Sequence, residues 1–165
     1  MATHSSRGYS ALQIMLHWAI AVLVIFQLLF GESMTAVVDA SEEGTTVSGQ
    51  DQFLGSAHYW VGLAMLCLVL IRLILRVVSG VPQAAGATSW MSILASAMHW
   101  AFYALLAAMP VTGLLTYFDI WDLGEVHSIG KPVFIVLIVV HAAAALFHAV
   151  VLRDGTLRRM IAPAR

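Results

Sequence analysis

The 165-residue chain is short of charge and almost free of cysteine. Asp, Glu, Lys and Arg together make up 10% of it, against about 25% in ordinary soluble domains. No basic-aromatic surface of useful size can be assembled, which excludes nucleic acid as a partner. The single cysteine, Cys67, excludes an intrachain disulfide and a paired-thiolate metal knuckle, and reads as a small buried hydrophobe. A phosphate-binding glycine loop and a G-x-S-x-G nucleophile elbow are both missing. No long-period repeat or low-complexity tract is present. What fills the chain instead is apolar: 61% of the residues are hydrophobic and the mean hydropathy is +0.89, more than a soluble core of this length can hide.

Four long apolar runs carry that surplus, at 13–30, 57–78, 91–116 and 131–152. Each is near the roughly 20 residues needed to cross about 30 Å of hydrocarbon. Helix is required there, because an open strand leaves its amides unpaired in lipid. The expected fold is therefore all-α, a four-helix transmembrane bundle forming one integral-membrane domain over 1–165. A cleaved signal peptide is the alternative for the first run, but the run is long, carries His17 and Gln27, and lacks a clear cleavage site. Arg7, Arg72, Arg76, Arg153, Arg158, Arg159 and Arg165 fall on one side of this arrangement, with Lys131 on the other. The positive-inside rule then puts both termini and the second-to-third loop of a multi-pass protein in the cytoplasm. Eight of the nine acids, Glu32, Asp39, Glu42, Glu43, Asp51, Asp119, Asp122 and Glu125, fall on the outer side, so a net charge of −1 conceals two faces of opposite sign. The first outer loop, 32–56, is long enough for a short helix. The stretch 80–89, with Pro82 and Gly86, reads as an inner turn, and 119–130 as the second outer loop. Pro132 suits the first turn of the last span or a kink in a longer helix.

Every apolar run brings at least one histidine, and ionisable groups inside a membrane mark functional sites. His127 and His141 are fourteen residues apart, which on one helix leaves them about 40° out of register and about 21 Å apart along the axis. By depth His58 matches His127 near the outer face, and His17 roughly matches His141 further in. Two transverse pairs of neutral imidazoles, each pair on facing helices, suit bis-histidine haem iron. Convergence of all these ligands on a single zinc ion does not suit them, since they spread over two levels. Gly62, four residues after His58, leaves room for a flat ring. Arg72 returns to the His58 face at the inner level, where it either pairs with haem propionates or snorkels to the interface. Lys131 has the same two readings at the outer level. His99, in the third run, is open to iron ligation, quinone contact or a bond to another helix. His148 lies within about 20° of the His141 face and is a candidate for proton exchange, or a solvated helix-end residue. Arg153 joins His99 and His148 as an inner quinone or proton-site candidate. His4 belongs to the terminal segment. Trp18, Trp60, Trp90, Trp100 and Trp121 read as interfacial anchors. Met98 and Met109 read as packing, and Gly113 with Ala142–Ala145 as places where helices approach closely.

Several segments together resemble the bacterial cytochrome b561 family. They are Ala11-Leu12-Gln13-Ile14-Met15-Leu16-His17-Trp18, Ala57-His58 through Gly62, and Leu70-Ile71-Arg72-Leu73-Ile74-Leu75-Arg76. His99 through Met109-Pro110-Val111-Thr112-Gly113-Leu114 follows, and then His141-Ala142-Ala143-Ala144-Ala145-Leu146-Phe147-His148 with Arg153 through Met160. The resemblance runs through nearly the whole chain. It implies a four-helix membrane cytochrome with two b haems that exchanges electrons with ubiquinone. His17 and His141 would hold the inner haem, His58 and His127 the outer one. The family also includes superoxide oxidases, which take electrons from superoxide at the outer face and reduce ubiquinone, and related cytochromes that serve as electron-transfer subunits. The acidic outer loops repel an anionic substrate and favour a basic periplasmic redox protein. A reading from another class is a histidine-lined proton or metal channel.

Overall fold

The computed structural model describes residues 8–80 and 89–163. His4, Arg7 and Arg165 and most of the expected inner turn, with Pro82 and Gly86, lie outside the described residues. The elements are all helical: α1 (Ala11–Phe30), α2 (Glu32–Glu43), α3 (Gly49–Ser79), α4 (Ser89–Tyr117), α5 (Gly124–Phe147) and α6 (Thr156–Arg159), with a π-helical turn at His148–Leu152 continuing α5. Four stretches, Ala11–Phe30, Gly49–Ser79, Trp90–Tyr117 and Gly124–Leu152, are long and apolar enough to cross a membrane.

Local chemistry sets where these helices begin. At α1, Ser10 Oγ accepts from the Gln13 amide at 3.2 Å while Gln13 Oε1 accepts from the Ser10 amide at 3.0 Å. This reciprocal pair satisfies two of the orphan donors of the first turn. α3 starts at Gly49, eight residues before the expected run, because Ser48 caps it through the Asp51 amide. Likewise α5 starts at Gly124 and runs through Pro132 without interruption, so His127 stands in the same helix as His141. Hydropathy misses both extensions because Gln50, Asp51, Gln52 and Glu125 are polar first turns standing clear of the apolar stretch. α2 is the short helix that the first outer loop had room for. It ends at Gly44, whose φ of 67° is a left-handed cap, and packs on α3 where Gly55 lets Val37 come close.

The helices make an open chain of neighbours. α1 packs on α3, α3 on α4, and α4 on α5, while α5 does not pack closely on α1 or α3. A small core of Ile20, Val24, Met65, Val69, Tyr103, Leu106 and Phe134 holds them together. Outward faces are apolar and exposed, as at Val22, Ile25, Ile74, Val77, Val136 and Val139. Such a surface is at home in lipid and in little else. Two expectations need correction. Cys67 is exposed rather than buried, since its helix face looks outward. Ala142, Ala143 and Ala144 are exposed too and bring no helix close, whereas Gly113 does.

Candidate functional site

The polar groups inside the bundle collect at two levels. At the end that carries α2, the rings of His58 (α3) and His127 (α5) face each other with centroids 6.1 Å apart. Toward the end that carries α6, His17 (α1) and His141 (α5) have centroids 6.3 Å apart. Each pair therefore bridges two helices whose backbones are not in close contact. Two imidazoles on opposite sides of one metal, each bonded at about 2 Å, have ring centres about 6 Å apart. Both pairs fit that spacing, and the stand-off of α5 fits a flat group lying between the helices. Among the described residues no three His, Cys, Asp or Glu side chains converge on a compact metal site.

The α2-end pair is held by hydrogen bonds. His127 Nδ1 lies 2.9 Å from the Met109 carbonyl and 3.3 Å from Thr112 Oγ1, which directs Nε2 at the opposite side of the ring. Pro110 withdraws one donor from the α4 ladder, and the Thr112 hydroxyl donates to the carbonyls of Ala108 and Met109. Gly113 is what lets the His127 ring lie against α4: a Cβ there would stand 2.9 Å from Cε1 of the ring. His58 is tethered differently. Gln27 Nε2 donates to the His58 carbonyl at 2.9 Å, and Gly31 leaves space beside the His58 ring. Lys131, read either as a propionate contact or as an interface anchor, makes an ion pair with Glu32 at 2.5 Å. Lys131 also holds the exposed Glu32 carboxyl below its ordinary range, chiefly through that hydrogen bond.

Rings and cations surround the α6-end pair. His141 meets His99 at 5.9 Å and Phe102 at 5.3 Å, and His17 meets Trp18 at 5.4 Å. Arg72 donates to the Gln13 carbonyl at 2.7 Å, which keeps its charge inside the bundle. Arg76 lies over the faces of Trp100 and Tyr103, at 5.5 and 5.6 Å. Burial raises the Tyr9 hydroxyl above its usual range, against the opposing pull of these arginines. Beyond α5, His148 Nδ1 and Asp154 Oδ2 are 2.5 Å apart, and Asp154 Oδ1 accepts from the Thr156 amide at 2.9 Å. Partial burial opposes ionisation of Asp154, but the bonds from His148 and Thr156 outweigh it and hold the carboxyl down at about 2. Arg153, with φ of 51°, closes the π-helical turn in a left-handed conformation and bonds the Val150 carbonyl at 3.2 Å. π-turns inside helices are frequent at functional sites.

The structure thus brings His17 beside His141 and His58 beside His127, and adds His99 to the first pair. His148 and Arg153 stand apart, in the turn beyond α5. Sequence reasoning missed Gln27, Gly31, Thr112, the Met109 carbonyl and Asp154 as members of these clusters. A glutamine deep in an apolar run was a visible signal for the first of them.

The family model for prokaryotic cytochrome b561 matches residues 8–163. The chain belongs to the prokaryotic cytochrome b561 family. It is 39% identical over 158 residues to the cytochrome b562 of Cereibacter sphaeroides, covering 94% of this chain and 96% of that one. A probable superoxide oxidase, CybB, of Yersinia pestis is 28% identical over 94% of this chain and 96% of its own. Cytochrome b561 homolog 2 of Escherichia coli is 26% identical over 96% and 94%. Membership makes this a bacterial multi-pass membrane protein of electron transfer, with haem b as the implied cofactor.

Proposed function

We propose that this cytochrome b561 family member holds two b haems and carries electrons one at a time between an outer donor and ubiquinone in the inner membrane. The observation that supports this most is the pair of histidine pairs, 6.1 and 6.3 Å across, each with one ring from α5. His58 and His127 are the ligands at the α2 end, which faces outward. His17 and His141 are the ligands toward the cytoplasmic side, where both termini lie. Haem bound at each pair supplies reversible one-electron exchange at iron.

The protein's own groups do the rest. The Met109 carbonyl and Thr112 fix the tautomer of His127, so that its Nε2 lone pair is the one presented. Arg72 puts a fixed positive charge at the inner level, suited to propionates, and Lys131 does so at the outer rim while paired with Glu32. Ubiquinone takes up two electrons and two protons. His148 and Asp154 hold a proton between Nδ1 and Oδ2 at the inner boundary with Arg153 beside them, and His99, at the level of His141, is the separate candidate for quinone contact.

The leading donor is superoxide. Two superoxide anions each give up one electron and leave as O2, and ubiquinone with two protons leaves as ubiquinol. The relation to a probable superoxide oxidase supports this choice. Asp39, Glu42 and Glu43 on α2 favour a second donor, a basic periplasmic redox protein, with the chain as an electron-transfer subunit. The purified full-length protein decides between them. Superoxide-dependent reduction of ubiquinone by the protein alone, with two haems per chain by pyridine haemochrome, is the expected result. Two intact haems without turnover overturn the oxidase assignment in favour of the subunit. A colourless preparation overturns both in favour of a histidine-lined channel.

A further inference from the structure

Among the described residues, two side-chain atoms are buried with no hydrogen-bond partner: Gln27 Oε1 and His58 Nδ1. One is an acceptor. The other, in a histidine that ligates through Nε2, is a donor. They belong to residues already joined by the 2.9 Å bond from Gln27 Nε2 to the His58 carbonyl, which ties the carboxamide to the residue that carries the imidazole. Rotating the amide to swap its ends would set Gln27 Oε1 against that carbonyl, so the orientation is fixed by its own hydrogen bond. Glycines keep the corner narrow yet open. A Cβ at Gly62 would lie 3.4 Å from Gln27 Nε2, and one at Gly31 would lie 3.6 Å from His58 Nδ1 and 2.7 Å from the Gln27 carbonyl. Unmatched buried polar atoms are costly, and a complementary donor and acceptor on two joined residues invite a shared partner. A bridging water asks for two to four polar contacts, and Gln27 and His58 offer Oε1, Nδ1 and the Gln27 carbonyl.

We propose that Gln27 is the positioning residue of His58: its carboxamide clamps the backbone carbonyl and, through one buried water, accepts the Nδ1 proton. This rests on the reading of His58 as a haem ligand. A ligand imidazole whose Nδ1–H is bonded is more basic and favours ferric iron, which lowers the potential. His127 receives the same treatment from the Met109 carbonyl. His17 and His141 instead lie within electrostatic reach of Arg72, a cation that favours the reduced state. The α2-end haem is therefore the lower-potential one. An electron entering there moves downhill toward the α6 end.

The test uses the full-length, haem-loaded protein and reads the midpoint potential and low-spin electron paramagnetic resonance signal of each haem. Gln27→Leu should raise the α2-end potential by about a tenfold change in the ferric-to-ferrous ratio, about 59 mV for one electron, and leave the other haem unchanged. Gln27→Glu keeps an acceptor for the Nδ1 proton but gives up the donor to the His58 carbonyl, so the α2-end potential should stay at the original value or fall below it while the backbone bond is lost. If Gln27→Leu fails to load, Gln27→Met is read in its place. Loss of the α2-end haem from both, with retention in Gln27→Glu, supports acceptance of the Nδ1 proton, the one role that variant preserves. No shift at either haem, or equal shifts at both, overturns it. His58→Ala separates the two levels of inference. Retention of both haems in that variant overturns the ligand reading and the clamp with it, whereas selective haem loss together with an inert Gln27→Leu overturns the clamp alone.

Discussion

His58 and His127 are framed by a carboxamide, a threonine hydroxyl and a backbone carbonyl, whereas His17 and His141 are framed by rings and guanidinium groups. Both levels draw one ring from α5, so the difference comes from the partner helices. α4 supplies Pro110, Thr112 and Gly113 at one level, and His99 and Phe102 at the other. Hydrogen bonds fix an imidazole's tautomer and direction, while packing against rings fixes its position and leaves its basicity alone. One helix can thereby present two identical residue types in two electronically different settings.

The comparison breaks most visibly if the levels are not independent. His127→Ala and His141→Ala should each lower haem content from two per chain to one by pyridine haemochrome, with different haems remaining in the optical spectrum. A single change that empties both sites would join the levels into one unit. Gly113→Ala sharpens the contrast next. Its Cβ would press on the His127 ring from rigid helix backbone, and affinity for the α2-end haem should fall about 10–100-fold by titration of apoprotein, with the other haem retained. Gly130→Ala meets only the pliable end of Met109, so the expected cost is about 1–3 kcal/mol of stability with both haems kept.

A smaller effect lies at the far end. The Asp154 carboxyl is held at about 2 against an ordinary 3.8, so its contribution is complete above the ordinary value and disappears as the pH falls through about 2. Protection of the Thr156 amide, its exchange rate set against the intrinsic rate at the same pH, should fall over that window, and about tenfold at neutral pH in Asp154→Ala, roughly 1.4 kcal/mol. Exchange that is indifferent to both acid and substitution would show the His148–Asp154 contact to be idle. The mildest change is Thr112→Val. The Met109 carbonyl keeps its place on His127 Nδ1, so the α2-end ferric-to-ferrous ratio should move by less than about threefold. A larger move would transfer the main role from the carbonyl to the hydroxyl.

Hydropathy made the four long helices legible because hydrocarbon selects composition over some twenty residues at once. It could not register Gly49–Ser56 or Gly124–Gly130, where helix continues on capping and backbone bonds after the apolar run has ended. The matching depths of the histidines were readable from spacing, since depth follows residue count along a helix. Lateral neighbours were not. Gln27 against His58, Gly113 against His127 and Met109 against both Gly130 and His127 depend on helix rotation, which no single-helix pattern encodes. Cys67 and Ala142–Ala144 failed for the same reason: small apolar residues are equally content facing lipid or protein.

The stand-off of α5 bears on how the molecule is assembled. α1, α3 and α4 share the interlocked side chains of the core, to which α5 brings Phe134 and Ile138. α5 is seated on α4 at Gly113 and Gly130 and stands off α1 and α3, so a group bound between its histidines and theirs would join the two ends of the helix chain. Without that group the side between α5 and α1 would be the one that opens first, and the free energy of binding it would become folding free energy.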